Sequence, residues 1–582
     1  MKLSSPLLLA ALSTILAACN VAALDVGPPV WGFDGTVVSG CFNVISFEVS
    51  NRSGKPFEGN LVLDDAGGLG TRSSAPYEQP VYLAPGTSRW VQFHPYIGSY
   101  TPSWRLAWDG TERGEIEINR PNSGPPATVL LADPNALGMR AARMRLFPEN
   151  LFPATVSATD ALHAVVLDHQ PRWEGPRRQA FLDWVMRGGI VHLLPGPDGA
   201  QPRFTEEFAP LNVEGDRGFL GAGLVVRHRV PRAEMTEQFL KDAGFPTPEL
   251  KENKEGSIYD LDGFLFRKLA SITRPNINWS LIYLLTAVYV LLIGPAFYLL
   301  RKRDYRLLLG GLIATVAVFA WLFTVVGRRG YGEKQIYHSL SIARALGGGR
   351  YDVQEWVHPF ATSGDLYRFE HPGGGHLYAA LGEGESVRGS VVTGKDSHFE
   401  ADMPLFSSRP FLHRGVVATG AQGFTVEDWK TDNVGKLWTL RIKADPGIRQ
   451  RTIAAVLEHG GDYSDLELTN DGFNLQRKSA RNSPAVFFGK QQFHDTMHSW
   501  AGGDFGDAEA IVSRLRALHP VLISRANGEK VYLRNYIASP RLSGDRTRLL
   551  VYAEAPAAFA LKSDQFQAGR QYVLYVQDLF KP

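Results

Sequence analysis

Two uninterrupted apolar runs dominate the pattern of hydrophobic and polar positions. The first extends from Trp279 to Leu300 and the second from Leu307 to Val326, and neither carries a charged side chain. As helices, runs of this length match a bilayer core of about 30 Å. The pattern therefore predicts a two-helix transmembrane hairpin over 279–326, with spans at 279–300 and 307–326. Between them stands Arg301-Lys302-Arg303-Asp304-Tyr305-Arg306. Arg301, Lys302, Arg303 and Arg306 outnumber the one acid, which orients so short a turn toward the cytoplasm and leaves both large flanking regions outside.

Elsewhere the period is mostly two. From 24 to 122, Ile45, Phe47 and Val49 alternate with Ser46, Glu48 and Ser50. Similar stretches surround Leu61, Trp90-Val91-Gln92-Phe93, Trp104-Leu106-Trp108 and Ile116-Ile118. Short strands separated by turns predict a β-sandwich of immunoglobulin type. After Asn122-Ser123-Gly124-Pro125-Pro126 the period changes. Strands are predicted at Thr128–Ala132, Ala164–Leu167 and Ile190–Leu194, and helices at Ala136–Phe147 and Arg177–Met186, so residues 126–275 read as a parallel α/β layer. An amphipathic helix over Asp260–Ser271 leads to the membrane. The region 330–582 reads as one or two mainly-β domains, with strands at Tyr351–Val357, Leu366–Phe369, Leu377–Leu381, Leu437–Ile442, Thr452–Leu457, Leu549–Ala553 and Tyr572–Val576. One helix is expected from Asp507 to Leu518, stopped by Pro520.

Composition alters this picture in two places. A net charge of +2 over 582 residues provides no global field for nucleic acid. At the start, Lys2 and the apolar Leu7–Leu16 read as a signal peptide over 1–23. Leu16-Ala17-Ala18-Cys19 fits a lipobox, which would make Cys19 a lipidation site, while Val21-Ala22-Ala23 fits an ordinary cleavage site. The one other cysteine is Cys41, so either route leaves no intrachain disulfide.

The succession Val165-Val166-Leu167-Asp168, then Gln179-Ala180-Phe181-Leu182-Asp183-Trp184-Val185-Met186-Arg187-Gly188-Gly189, then a strand, resembles the class I glutamine amidotransferase-like domain of bacterial envelope proteins. The resemblance implies a flavodoxin-like α/β fold. Active members of that family use a cysteine on a sharp turn after a strand, with a partner histidine. This segment offers His163, His169 and His192 but no cysteine, so the resemblance implies the fold without the activity. Tyr289 to Arg306, with Gly294-Pro295 inside the first span, resembles the anchor of membrane-bound envelope proteins encoded near MoxR-type ATPases and von Willebrand factor A-domain proteins.

Three further motifs fall short of their chemistry. Gly389-Ser390-Val391-Val392-Thr393-Gly394-Lys395-Asp396 has P-loop spacing, but Asp396 stands where a Mg²⁺-binding hydroxyl belongs, and Ser390–Thr393 reads as a strand. Gly221-Ala222-Gly223 runs into strand-like residues and lacks the third glycine of a dinucleotide fingerprint. His494 and His498 have i, i+4 spacing, with Asp495 where a zinc peptidase carries Glu; no third ligand is evident, and Glu509 is a candidate by proximity alone. They are weak metal candidates, and no cofactor is expected. The whole reads as a multidomain protein of the bacterial inner membrane, with both lobes periplasmic. Its expected role is scaffolding or interaction with an envelope protein, without catalysis. The rivals are a zinc-dependent hydrolase at His494 and His498, and a glycan-binding protein using Trp104 and Trp108.

Overall fold

The computed structural model describes residues 24–65, 74–98, 103–111, 113–133, 143–196, 199–245, 261–273, 279–299, 302, 304–331, 335–380, 388–420, 423–432, 437–459, 462–475, 515, 518–526 and 546–581. They are mostly β and gather into two compact units. Residues up to Lys251 form the first together with Gly373–Ala379 and Gly384–His398, and the second takes the rest.

The first unit begins with two sheets. One orders β1 (Leu24–Val26), β3 (Ile45–Asn51) and β2 (Val30–Trp31), with β6 (Ser88–Phe93) also paired to β3. The other contains β4 (Phe57–Asp65), β5 (Tyr77–Leu83), β7 (Trp104–Gly110) and β8 (Gly114–Ile118) in the order β8-β7-β4-β5. Alternation drives them together. Ile45, Phe47 and Val49 on one sheet and Leu61, Leu63 and Leu106 on the other are fully buried, and each such side chain contributes about 1.5–3 kcal/mol. Trp31 meets Trp104 at 6.1 Å across the interior. A late segment joins this sheet. The strand Gly389–Val392 pairs in parallel with β5, Val391 opposite Tyr77, through Val391 N–H to Pro76 O and Thr393 N–H to Glu78 O, both 2.8 Å. The Gly389–Asp396 motif is thus a strand at its start, as its Val-Val-Thr run predicts.

The α/β layer follows. Its strands are β9 (Ala127–Ala132), β10 (Leu146–Pro148), β11 (Leu162–Leu167), β12 (Ile190–Leu193), β13 (Arg217–Leu220) and β14 (Gly223–Arg227), in the order β10-β9-β11-β12-β14-β13. All neighbouring pairs are parallel except β13–β14. Helix α1 (Gly175–Arg187) buries Ala180, Phe181, Trp184 and Val185, and α2 (Glu237–Asp242) is capped by Thr236 Oγ1. Gly188 ends α1 at φ 132°, a conformation that a Cβ disfavours. The Gly221–Gly223 stretch opens strand β14, not a phosphate loop. One expectation fails here. The end of the helix predicted over Ala136–Phe147 is strand β10, because Phe147 is buried in sheet register beside Leu131; residues 134–142 lie outside the described chain.

The second unit starts at α3 (Leu261–Thr273), which matches the predicted Asp260–Ser271 helix. Then come α4 (Trp279–Leu291), extended to Leu299 through a π-helical turn at Leu292–Ala296, and α5 (Tyr305–Tyr331). Pro295 has no N–H to continue the α ladder, which accounts for the wide turn. Ser280–Leu299 and Tyr305–Val326 are long and apolar enough to cross a membrane, and almost none of either is covered by protein. Asp304 Oδ1 accepts the Arg306 N–H at 3.1 Å, so α5 starts slightly before the predicted Leu307.

Beyond the helices runs one long sheet. It comprises β15 (Ile336–Gly347), β16 (Arg350–Ala361), β17 (Phe411–Ala418), β18 (Phe424–Thr431), β19 (Leu437–Ala444), β20 (Thr452–His459), β21 (Asp462–Leu468), β22 (Gly472–Leu475), β23 (Arg546–Glu554) and β24 (Gln567–Phe580). These ten of its twelve strands run in the order β17-β16-β15-β24-β23-β20-β21-β22-β19-β18, and among the ten only β15–β24 is parallel. The sheet folds over itself, so that Ala343, Val353 and Val573 share one core with Leu440, Ile442 and Phe473. The other face of β16 carries α3: Asp262 Oδ1 accepts from Trp356 Nε1 and from Arg525 Nε, each at 3.0 Å. Arg525 belongs to α6 (His519–Ala526). Pro520 sits in its first turn, where the N–H that a proline lacks would have no helical partner. Of the helix predicted over Asp507–Leu518, only Leu515 and Leu518 are described.

Candidate functional site

Parallel strands aim their carboxyl ends at one edge of a sheet, and the point where strand order reverses opens a crevice there. In the α/β layer the reversal lies between β9 and β11. Around that edge the chain sets Glu149 just after β10 and Asp168-His169 just after β11, with Arg232 beyond β14. His169 Nδ1 lies 2.8 Å from Asp168 Oδ1 and Nε2 lies 3.1 Å from Glu149 Oε2. Arg232 Nη1 donates to Asp168 Oδ2 at 3.2 Å. Trp173 Nε1 donates to the Glu149 carbonyl at 2.8 Å and stacks on Phe152 at 4.8 Å, which fixes the loop carrying Glu149.

Electrostatics settles the charge state. Burial pushes the His169 imidazole down, but its bonds to Asp168 and Glu149 and their charges outweigh this and raise it to about 9. Burial pushes Asp168 up, yet His169 and Arg232 together bring it below the usual carboxylate range. The site is an ion cluster that alternates in sign, with both imidazole nitrogens donating. An imidazolium cannot accept a proton, so His169 is no general base near neutral pH. The described residues that directly follow the parallel strands are Asp133, Glu149, Asp168, Leu194 and His228, none of them Cys, Ser or Thr.

The other two histidines singled out in this layer stay apart from that cluster. His192 Nδ1 and His228 Nε2 share a hydrogen bond of 2.9 Å beside Phe239 and Phe245. Burial, with His228 and His163 nearby, drives His192 down to about 3. His163 is lowered by burial as well. These are neutral rings within apolar packing.

No protein-family model and no curated protein matches the chain. Among solved structures it is similar to an alkylpurine DNA glycosylase of Pseudomonas fluorescens bound to DNA with an abasic site analog, at 12% identity and TM-score 0.13, over 18% of this chain and 33% of that one. It is also similar to a Paenibacillus cycloisomaltooligosaccharide glucanotransferase complexed with cycloisomaltoheptaose, at 9% identity and TM-score 0.16, over 67% of this chain and 70% of that one. Overlaps this loose carry no functional argument.

The remaining candidates are readily placed. Cys19, His494, His498 and Glu509 lie outside the described residues, as do Arg301 and Arg303; Lys302 and Arg306 are exposed at the hairpin turn. Among the described residues no group of three or more His, Cys, Asp or Glu is arranged to hold a metal ion. Trp104 and Trp108 are 2% and 7% exposed, so they form core and not a sugar platform. Glu149 and Arg232 were not singled out in the sequence. The available signal was Pro148-Glu149 and Leu167-Asp168-His169, polar residues that directly follow apolar strands.

Proposed function

We propose that this protein is a membrane-anchored scaffold of the bacterial cell envelope, with both lobes on the outer face and a non-catalytic, amidotransferase-like α/β domain used for recognition. One observation carries this reading. Residues on the far side of the two apolar helices, Gly389–Val392, pair with a sheet built from residues on the near side. A chain that crossed a membrane once could not do this, whereas a hairpin returns it to the starting side. The basic turn between the helices favours a cytoplasmic tip. The strand order β10-β9-β11-β12-β14 is that of flavodoxin-like sheets, which supports the amidotransferase-like assignment of this layer. The charged His169 cluster supports recognition over acyl transfer, because it offers fixed charge and no base. Two lobes held at one surface give a bivalent partner a high effective concentration.

The test is cysteine accessibility in intact cells. With Asp304→Cys, a membrane-impermeant maleimide is expected to label only after the inner membrane is broken, while Tyr82→Cys labels without breakage once the outer permeability barrier is opened. Labelling of Asp304→Cys in unbroken cells would invert the topology and remove the proposal. Crosslinking and co-purification from membranes then identifies the partner.

A further inference from the structure

The second unit carries exposed apolar side chains at the end of its sheet where the chain leaves the apolar helices. Helix α5 ends at Tyr331 and β15 begins at Ile336. Gln335 follows Tyr331 by only four residues, a reach of at most about 14 Å. Gln335 Nε2 donates to Ser363 Oγ at 2.7 Å, and Gln565 Nε2 donates to Asp365 Oδ2 at 3.3 Å. Register extends the same edge. Ile336 pairs with Phe360, and Phe360 and Ala361 pair in turn with Ser408 and Ser407. The loop before Ser407 therefore projects past the end of β16, on the side from which α5 arrives. A Cβ added at Gly364 would sit 3.3 Å from the Leu405 nitrogen, so the 362–364 turn, which leads into the strand Asp365–Glu370, and the 404–406 loop abut.

They expose large apolar side chains. Leu366 is 56% exposed, Leu405 58% and Phe406 46%. Phe406 also holds φ 55°, a region costly for a residue with a Cβ. A cluster of large apolar side chains on one edge calls for a cover. The cover argued here is lipid, because this edge is continuous with two helices already bare of protein over their apolar length. Aromatic and aliphatic tips next to a membrane anchor have the composition of an interfacial contact.

We propose that Leu366, Leu405 and Phe406 dip into the outer headgroup boundary of the membrane that holds the helices, giving the second unit a third point of attachment. This rests on the hairpin reading, and the test separates the two. The full chain, with Cys19 and Cys41 replaced by serine, is reconstituted in phosphatidylcholine–phosphatidylglycerol nanodiscs. Spin labels are placed singly at Leu405→Cys and Phe406→Cys, with Val316→Cys in the second span and Tyr82→Cys in the first unit as references. Collision with lipid-partitioned dioxygen is compared with collision with an aqueous nickel chelate. The expected result is a dioxygen-to-nickel ratio at positions 405 and 406 several-fold above that at Tyr82→Cys and closer to that at Val316→Cys. If Val316→Cys reads lipid while both loop labels match Tyr82→Cys, the hairpin stands and the loop contact is overturned. Low collision with both reagents at the loop would mean a protein cover and would equally overturn it. If Val316→Cys itself reads water, the hairpin reading fails first.

Discussion

Two acid–imidazole pairs among the described residues are shifted in opposite directions. In the α/β layer His169 Nδ1 meets Asp168 at 2.8 Å; in the second unit His413 Nδ1 meets Glu355 Oε2 at 3.1 Å. The first pair is part-exposed and has Glu149 and Arg232 beside it, and there His169 is raised while Asp168 is lowered. The second is fully buried. Burial raises Glu355 to about 7, against a Ser339 hydrogen bond and nearby His371 that lower it. Burial, with His371 stacked 5.4 Å away, lowers His413 well below its ordinary value. Proximity of an acid and an imidazole therefore does not decide whether they form an ion pair; the water and further charge around them do.

The largest effect expected from breaking this contrast lies at a third pair. Asp352 and Arg414 are buried on the opposite face of β16 and joined twice, Arg414 Nη2 to Asp352 Oδ2 at 2.7 Å and Nε to Oδ1 at 3.2 Å. Arg414→Met removes both of these bonds from a buried carboxylate and is expected to cost about 3–5 kcal/mol in denaturant unfolding of the detergent-solubilised protein. Asp352→Leu added to it should recover most of that loss. A single variant no worse than the double would show that water reaches the pair.

Glu355 comes next. Its folded pKa is raised, so between about 4.5 and 7 the folded state binds more protons than the unfolded, and its contribution to stability falls as pH rises through that window. The wild type minus Glu355→Gln stability difference should drop by about 3 kcal/mol from pH 4.5 to pH 8. A difference independent of pH would place an ordinary carboxylate at 355. His169 gives the smallest effect, with the same sign in a higher pH window. Its raised pKa adds stability that is complete below about 6.5 and lost as pH climbs through about 9. Discounted for solvent screening, His169→Gln is expected to cost about 1–2 kcal/mol at pH 6 and nearly nothing at pH 10. An imidazole titration midpoint near 6.5 by NMR would contradict it.

Much of the fold was legible because its signals are local. The two apolar runs, α1 with its Gly188 stop, and strands such as Tyr351–Val357 and Tyr572–Val576 declare themselves by period and punctuation. What escaped was set by contacts far along the chain. β10 is a three-residue edge strand with too few positions to show alternation. Gly389–Val392 reads as a strand, but nothing local names β5 as its partner. The His169 cluster joins residues 20 and 64 positions apart, and Glu355 meets His413 across 58. Only strand order brings such residues to one place.

The late strand also orders events in time. Until residues 389–392 have been made and exported, the Pro76–Glu78 end of β5 keeps bare main-chain donors and acceptors, a template for unwanted pairing. On the proposed topology those residues emerge only after the chain has crossed the bilayer twice. The early sheet would then be among the first parts synthesised and among the last to be sealed, so its maturation reports on whether the hairpin has inserted.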